Sequence, residues 1–227
     1  KQWVSDIAHE LRTPLSILQG EIEAMQDGVR EVTSQALDSL HSEIRHVSKI
    51  VSDLHELSLA DSGAFPLNLQ TVSPVAILKA TLELFQTRFS QERLTTVRED
   101  PSDVQKITML GDEDRLVQLY SNILENTLRY ADRPGTLMIS CRYLQDKLEI
   151  SFEDSGPGVP EEAVEHLFDR LYRVDASRES AKGGSGIGLA ICKAITEAHG
   201  GRIEAQNARF GGLLIRITFP VEYNQNS

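Results

Sequence analysis

The chain has 227 residues, 40% hydrophobic and 25% charged, with 15 Gly and 8 Pro. That length allows one large domain or two ordinary ones, and those proportions exclude wholesale disorder and a collagen-like repeat. With 23 Lys and Arg against 34 Asp and Glu, the net charge is −11. Such a field repels a phosphate backbone, so no nucleic-acid partner is expected, although a glycine loop and a helix N-terminus can still bind a small phosphate ligand. Two cysteines, Cys141 and Cys192, cannot build a disulfide framework and fit a reducing compartment. No run approaches the roughly 18 consecutive apolar residues of a membrane span, so this segment is expected to make no membrane contact. The chain opens on Lys1 rather than Met, with amphipathic sequence at once. It reads as a fragment whose N-terminal part has been removed, which leaves a membrane anchor in the full-length protein open.

In chain order, Ile7, Leu11, Leu15, Leu18, Ile22 and Met25 recur at steps of three or four, one stripe of an amphipathic helix. That helix should end at Asp27-Gly28. Thr33 or Ser34 can cap a second helix, striped by Leu37, Leu40, Ile44, Val47, Val51, Leu54 and Leu57, which should stop near Asp61-Ser62-Gly63. A two-helix hairpin has too few layers for a stable core. Two copies packed as a four-helix bundle would close it, so a homodimer is expected; packing on the rest of the same chain is the alternative. Phe65–Val72 reads as a linker entering an edge strand. Ser73-Pro74 then starts a helix over Val75–Phe89. Strands are expected at Leu94–Arg98 and Ile107–Leu110, and a helix over Asp112–Tyr130. Thr136–Tyr143 and Lys147–Glu153 read as a hairpin turning at Gln145-Asp146. Asp154–Gly188 is glycine-rich, Leu189–Ala198 is helical, and Arg202–Ala205 and Leu213–Phe219 are final strands. The expected architecture is a helical hairpin (1–65), a linker (66–72) and an α+β two-layer sandwich (73–223).

Four clusters can carry chemistry, and each taken alone also reads as ordinary structure: a solvated His and Glu beside a tolerated kink, two Asn on a helix face, an Asp-Ser-Gly turn and a glycine loop. His9 lies in Ser5-Asp6-Ile7-Ala8-His9-Glu10-Leu11-Arg12-Thr13-Pro14, on the helix face away from Ile7 and Leu11. The carboxylate of Glu10 can orient one ring nitrogen and make the other a better nucleophile. Thr13 shares that face one turn on, and Pro14 removes a helical amide beside it. In Asn122-Ile123-Leu124-Glu125-Asn126-Thr127-Leu128-Arg129-Tyr130, Asn122 and Asn126 face one way while Ile123, Leu124 and Leu128 can be buried. Paired carboxamide oxygens suit a hydrated Mg2+ carrying phosphates, and Arg129 can reach a phosphate. Asp154-Ser155-Gly156-Pro157-Gly158-Val159 ends a strand with a carboxylate that can accept from the exocyclic amine of adenine. Gly183-Gly184-Ser185-Gly186-Ile187-Gly188-Leu189 opens into a helix without the Lys-Ser/Thr ending of a P-loop or the preceding strand of a dinucleotide fold. It reads as a lid, with Arg178 and Lys182 as phosphate contacts.

The order of these clusters resembles the cytoplasmic core of sensor histidine kinases, and in detail the envelope-stress kinases of the BaeS type. Residues 5–15 match the family's H-box, 122–130 its N-box, 154–158 and 184–189 its two glycine boxes. Phe168-Asp169-Arg170-Leu171-Tyr172-Arg173 is similar to its F-box, with Asp and Leu where Glu and Phe are commoner. The resemblance implies a dimeric four-helix bundle followed by an ATP-binding sandwich of the gyrase, Hsp90, histidine kinase and MutL type. It implies autophosphorylation of His9 from Mg-ATP, transfer to an Asp of a response regulator receiver domain, and a phosphatase activity. His9 would be the nucleophile, Glu10 its orienting base, and Thr13 the residue positioning water for dephosphorylation. Asn126 would hold Mg2+ with Asn122 in support. Asp154, Gly156, Gly158 and Val159 would form the base pocket. Arg129, Tyr130, Lys182, Gly184, Ser185, Gly186, Ile187, Gly188 and Leu189 would complete the nucleotide site. Arg129 stands where Lys is commoner, and Thr127 replaces a common Ala. The resemblance also implies the cytoplasmic portion of a membrane sensor. The alternatives are an ATP hydrolase or clamp of the same superfamily, and a dimeric scaffold that binds nucleotide without transferring it.

Overall fold

A computed structural model describes residues 2–63, 65–99, 101–174, 185–209 and 211–223, with side chains described outside 2–6, 8–10, 102, 103, 222 and 223. The chain divides into two compact units, Lys1–Ser58 and Leu59–Ser227.

The first unit is a helical hairpin. Helix α1 spans Gln2–Gln26 and runs unbroken through Pro14. It ends before Gly28, whose φ of +69° is the left-handed geometry that favours glycine after a helix. Helix α2 spans Ser34–Asp61. Its cap is Thr33, whose Oγ1 accepts from the Ala36 amide at 3.1 Å. The apolar positions do not form the single inward stripe per helix that the spacing predicts. Leu18, Ala36, Ile50, Leu54 and Leu57 are buried, whereas Leu15, Ile22, Leu37, Ile44 and Val51 stay 43–52% exposed. Those exposed residues repeat at intervals of seven, a second seam along the hairpin.

In the second unit, strand β1 (Gln70–Val72) leads into helix α3 (Pro74–Gln91), capped by Ser73, whose hydroxyl accepts from the Ala76 amide. Strand β2 is Leu94–Glu99; a 3-10 turn at Ser102–Lys106 precedes strand β3 (Ile107–Gly111). Helix α4 spans Glu113–Tyr130, strand β4 Gly135–Leu144 and strand β5 Lys147–Asp154. A short helix α5 (Glu161–Val164), helix α6 (Gly188–Ala198) and strands β6 (Arg202–Asn207), β7 (Leu213–Pro220) and β8 (Glu222–Tyr223) complete it. The main sheet has five strands in the order β2-β4-β5-β7-β6, and β1, β3 and β8 form a smaller one. The main sheet is mixed: β2 runs parallel to β4, while its other pairs are antiparallel. The β4–β5 turn uses Gln145 and Asp146, both at positive φ (51° and 59°), as a two-residue hairpin of this hand requires.

One face of this sheet builds the core. Strand alternation turns Leu137, Ile139, Leu148, Ile150, Phe152, Ile215, Ile217 and Phe219 inward, and Leu78, Leu116, Leu119, Ile123, Ile191 and Ile195 of the helices are buried with them. Each such side chain contributes about 1.5–3 kcal/mol of burial. Helix α4 is fixed at its start by Asp112: Oδ1 accepts from the Arg115 amide at 3.1 Å and Oδ2 from the Asn68 amide at 2.7 Å. The Asp112 amide donates to His199 Nε2 at 3.0 Å, and His199 Nδ1 pairs with the Ile195 carbonyl at 2.8 Å. His199 is therefore a neutral imidazole with its proton on Nδ1, assigned from this network. Burial pushes its pKa down.

Candidate active site

The site grows from three segments of the second unit. Helix α4 turns Ile123, Leu124 and Leu128 inward, all at most 6% exposed. That register leaves Asn122 and Asn126, one turn apart, half-buried on another face. Asn122 Nδ2 donates to the Gly188 carbonyl at 3.4 Å, which joins the first carboxamide to the start of α6. Arg129 and Tyr130 are half-buried in the last turn.

Asp154 ends β5 and is 8% exposed. Its Oδ1 accepts twice, from the Gly156 amide at 2.9 Å and the Leu213 amide at 3.2 Å. Both bonds fall on Oδ1, and none of the described residues donates to Oδ2. Desolvation holds this carboxyl above its ordinary pKa, against the two backbone donors that lower it. A Cβ placed on Gly156 would sit 3.0 Å from the Tyr130 carbonyl oxygen. The end of α4 and the Asp154 turn thus abut, while Asn122, about two turns earlier on α4, meets the start of α6.

The third segment contains the residues expected to form a lid. Leu171, at φ 57°, donates its amide to the Gly186 carbonyl at 3.0 Å. Gly186 has φ +65°, and a Cβ there would meet the Leu171 carbonyl carbon at 2.8 Å. This backbone bond joins Leu171 directly to Gly186. Ile187 is fully buried, while Ser185, Gly188 and Leu189 are half-buried around the start of α6. Arg178, Lys182, Gly183 and Gly184 lie outside the described residues. The side chains of His9 and Glu10 do too; their backbone is helical, within α1. Thr13 is exposed and Pro14 buried on the same helix.

Residues 1–63 match the family model of the His Kinase A (phospho-acceptor) domain, and residues 111–223 match the model of the histidine kinase-, DNA gyrase B-, and HSP90-like ATPase. The chain belongs to the sensor histidine kinases. Among curated relatives of this kinase, the signal transduction histidine-protein kinase BaeS of Escherichia coli is 44% identical over 98% of the chain and 47% of BaeS. The sensor histidine kinase WalK of Bacillus subtilis is 31% identical over 99% of the chain and 37% of WalK. The chain thus spans half or less of the length of these two relatives. Among solved structures, the Acinetobacter baumannii histidine kinase AdeS aligns with a TM-score of 0.78 at 28% identity, covering 93% of this chain and 97% of that one. Histidine kinase ThkA, solved in complex with the response regulator protein TrrA, shares the fold with a TM-score of 0.75 at 20% identity, covering 100% of this chain and 63% of that one.

A separate cavity of about 520 Å³ lies on the other face of the kinase's sheet, lined by Val164, Phe168, Leu214 and Arg216 among others. It contains neither Asp154 nor either carboxamide, so volume alone points away from the chemistry. Sequence reasoning missed two residues at the site, Asn207 and Leu213, and named Leu171 only as a departure within the run similar to the F-box. Leu171 and Leu213 act through their amides, which leave no mark in side-chain chemistry. Asn207 was passed over because the last strand before it was expected to end at Ala205.

Proposed function

We propose that residues 1–65 form a dimerisation and histidine phosphotransfer domain, 66–72 a linker, and 73–223 an ATP-binding catalytic domain. Together they act as the cytoplasmic core of a membrane sensor. The observation that supports this most is the place of the Asn122–Gly188 bond and the buried Asp154 at the two ends of one face of α4, in a unit preceded by a helical hairpin carrying His9-Glu10. Asp154 Oδ2 accepts from the adenine amine, and Gly156, Gly158 and Val159 flank the base. Asn126, supported by Asn122, holds Mg2+ through its carboxamide oxygen, a hard donor that suits this ion. Among the described residues no cluster of three His, Cys, Asp or Glu side chains offers another cation site. Mg2+, when bound, neutralises phosphate charge. Arg129, Tyr130, Lys182 and residues 184–189 enclose the phosphates.

Glu10 orients the His9 imidazole and takes the proton from one ring nitrogen as the other attacks the terminal phosphoryl group of ATP, the bond from that phosphorus to its bridging oxygen breaking and ADP leaving. Catalysis is then positioning and charge neutralisation of an in-line transfer. The phosphoryl group passes to an Asp of a response regulator, and Thr13 orients water when the kinase dephosphorylates that partner. Asn122, an amide where a hydrolase needs a carboxylate base, argues against steady ATP hydrolysis. The seam of Leu15, Ile22, Leu37, Ile44 and Val51 packs against a second copy as a four-helix bundle.

Incubation with Mg2+ and terminally labelled ATP tests the reading. The expected product is one label per chain, lost in acid, stable in base and absent from His9→Ala and Asn126→Ala. Acid-stable label, or full labelling of His9→Ala, would overturn it.

A further inference from the structure

We infer that Asn207 is a positioning residue that sets the wall of the proposed base pocket; the inference rests on the nucleotide reading given above. Asn207 is the last residue of β6, half-buried, and lies outside every sequence motif of the site. Its carboxamide makes two reciprocal bonds with one residue of the first glycine turn. Oδ1 accepts from the Val159 amide at 2.9 Å, and Nδ2 donates to the Val159 carbonyl at 2.7 Å. Only one orientation of the amide satisfies both, because the flipped group would set oxygen against oxygen. The second Nδ2 hydrogen points to Glu161 Oε2 at 3.3 Å. Where β6 stops pairing, the side chain supplies one more peptide-like group, and Val159 pairs with it as a neighbouring strand residue would.

The fit is tight on the other side of the clamp. Gly158 has φ +71°, and a Cβ there would lie 2.7 Å from Asn207 Oδ1. The carboxamide therefore occupies the space that any side chain at 158 would need, and it holds the turn in its left-handed form. Across the same turn, the Leu213 amide fixes Asp154 Oδ1 from the start of β7. The segment from Asn207 to Leu213 thus grips the pocket twice, once on the carboxylate that reads the amine and once on the backbone beside the base. A hydroxyl at 207 would have to donate and accept through a single shorter-reaching oxygen, whereas the carboxamide presents donor and acceptor on separate atoms that match the Val159 amide and carbonyl, so the position asks for a carboxamide.

A clamp on the base wall affects ligands in proportion to how much they use the base. Adenine donates its exocyclic amine to Asp154; guanine presents a carbonyl at that place and gains little from a well-placed wall. Calorimetric titration of the chain with ATP and with GTP, in Mg2+, reads this directly. Asn207→Ala is expected to weaken ATP roughly tenfold and GTP less than about twofold, narrowing the preference between them. Asn207→Asp keeps the shape and the acceptor but loses the donor, and should move the ratio in the same direction. A merely structural role would weaken both nucleotides alike, in step with a lower unfolding temperature. Equal weakening, or unchanged ATP affinity in both variants of a chain that binds ATP before substitution, would overturn the clamp. Failure of the unsubstituted chain to bind ATP would overturn the nucleotide pocket itself, and the clamp with it.

Discussion

At the scale of single residues, the site keeps a carboxylate where burial opposes its charge. Asp154 is held by two backbone amides on one oxygen, yet desolvation outweighs them and its pKa is raised. Its charge therefore costs stability at neutral pH, a cost that the proposed reading of the base would account for. Asn fits the same space, and its oxygen can accept from both amides. Asp154→Asn should leave the unfolding temperature unchanged or higher while weakening ATP on the order of a hundredfold, because a bond to a charged acceptor is lost. Equilibrium binding and thermal unfolding of that one variant check both halves. His199 carries the opposite sign. Its folded pKa lies below the ordinary 6.5, so below that value the unfolded chain binds a proton that the folded chain resists. Its contribution is complete above about 6.5 and is lost as pH falls through the folded value; protonating Nε2 also removes the acceptor of the Asp112 amide. Unfolding temperature should thus decline as pH falls below about 6.5, with a shallower decline in His199→Gln. The role of His199 was not legible in the sequence, because an acceptor bond to a backbone amide 87 positions away has no local pattern.

At the scale of elements, periodicity marks where helices are but not how many faces they bury. The spacing along α1 and α2 located both helices, with Gly28, Thr33 and Gly63 as their punctuation. It could not separate Leu18, Leu54 and Leu57, which are buried within the chain, from Leu15, Ile22, Leu37, Ile44 and Val51, which are left half-exposed, and it passed over the buried Ile50. Steps of three and four describe one stripe equally well when two partly overlapping seams are present. The same limit hid the parallel pairing of β2 with β4, since strand composition carries no direction and the pairing spans the whole of α4. The capped starts at Ser73 and Asp112 were readable, because the capping side chain sits within three residues of the amide it satisfies. The exposed seam gives a direct prediction. Ile44→Glu combined with Val51→Glu places charge at two turns of the proposed dimer interface and leaves the buried seam intact. Light scattering should find a monomer where the unsubstituted chain is a dimer, with affinity lower by at least about a hundredfold. Helical content should persist, because neither residue is among the buried ones. An unchanged dimer would mean that the seam packs elsewhere.

At the scale of the whole molecule, the two units are built to different standards of stability. The second has a mixed five-strand sheet, a layer of helices and a continuous core. The first, within Lys1–Ser58, is two helices with one buried seam. A unit that small buries too little surface to be more than marginal unless a second copy covers its other seam. Its stability is then tied to association, and so to protein concentration, whereas that of the second unit is not. Nucleotide, in the proposed site, touches only the second unit. Calorimetric unfolding should accordingly resolve two transitions. The one from the hairpin should move up as protein concentration rises and stay put when ATP is added. The one from the sandwich should ignore protein concentration and gain about 2.7 kcal/mol at a free ATP concentration of about 100 times Kd. His9→Ala should reproduce both behaviours, since it removes the proposed nucleophile and changes none of the buried residues Leu18, Ala36, Ile50, Leu54 and Leu57. Asn126→Ala should lose only the response to Mg-ATP. A single transition that moves as a whole with ATP would show that the two units unfold together, and that the nucleophile and the nucleotide site are not carried on modules of independent stability.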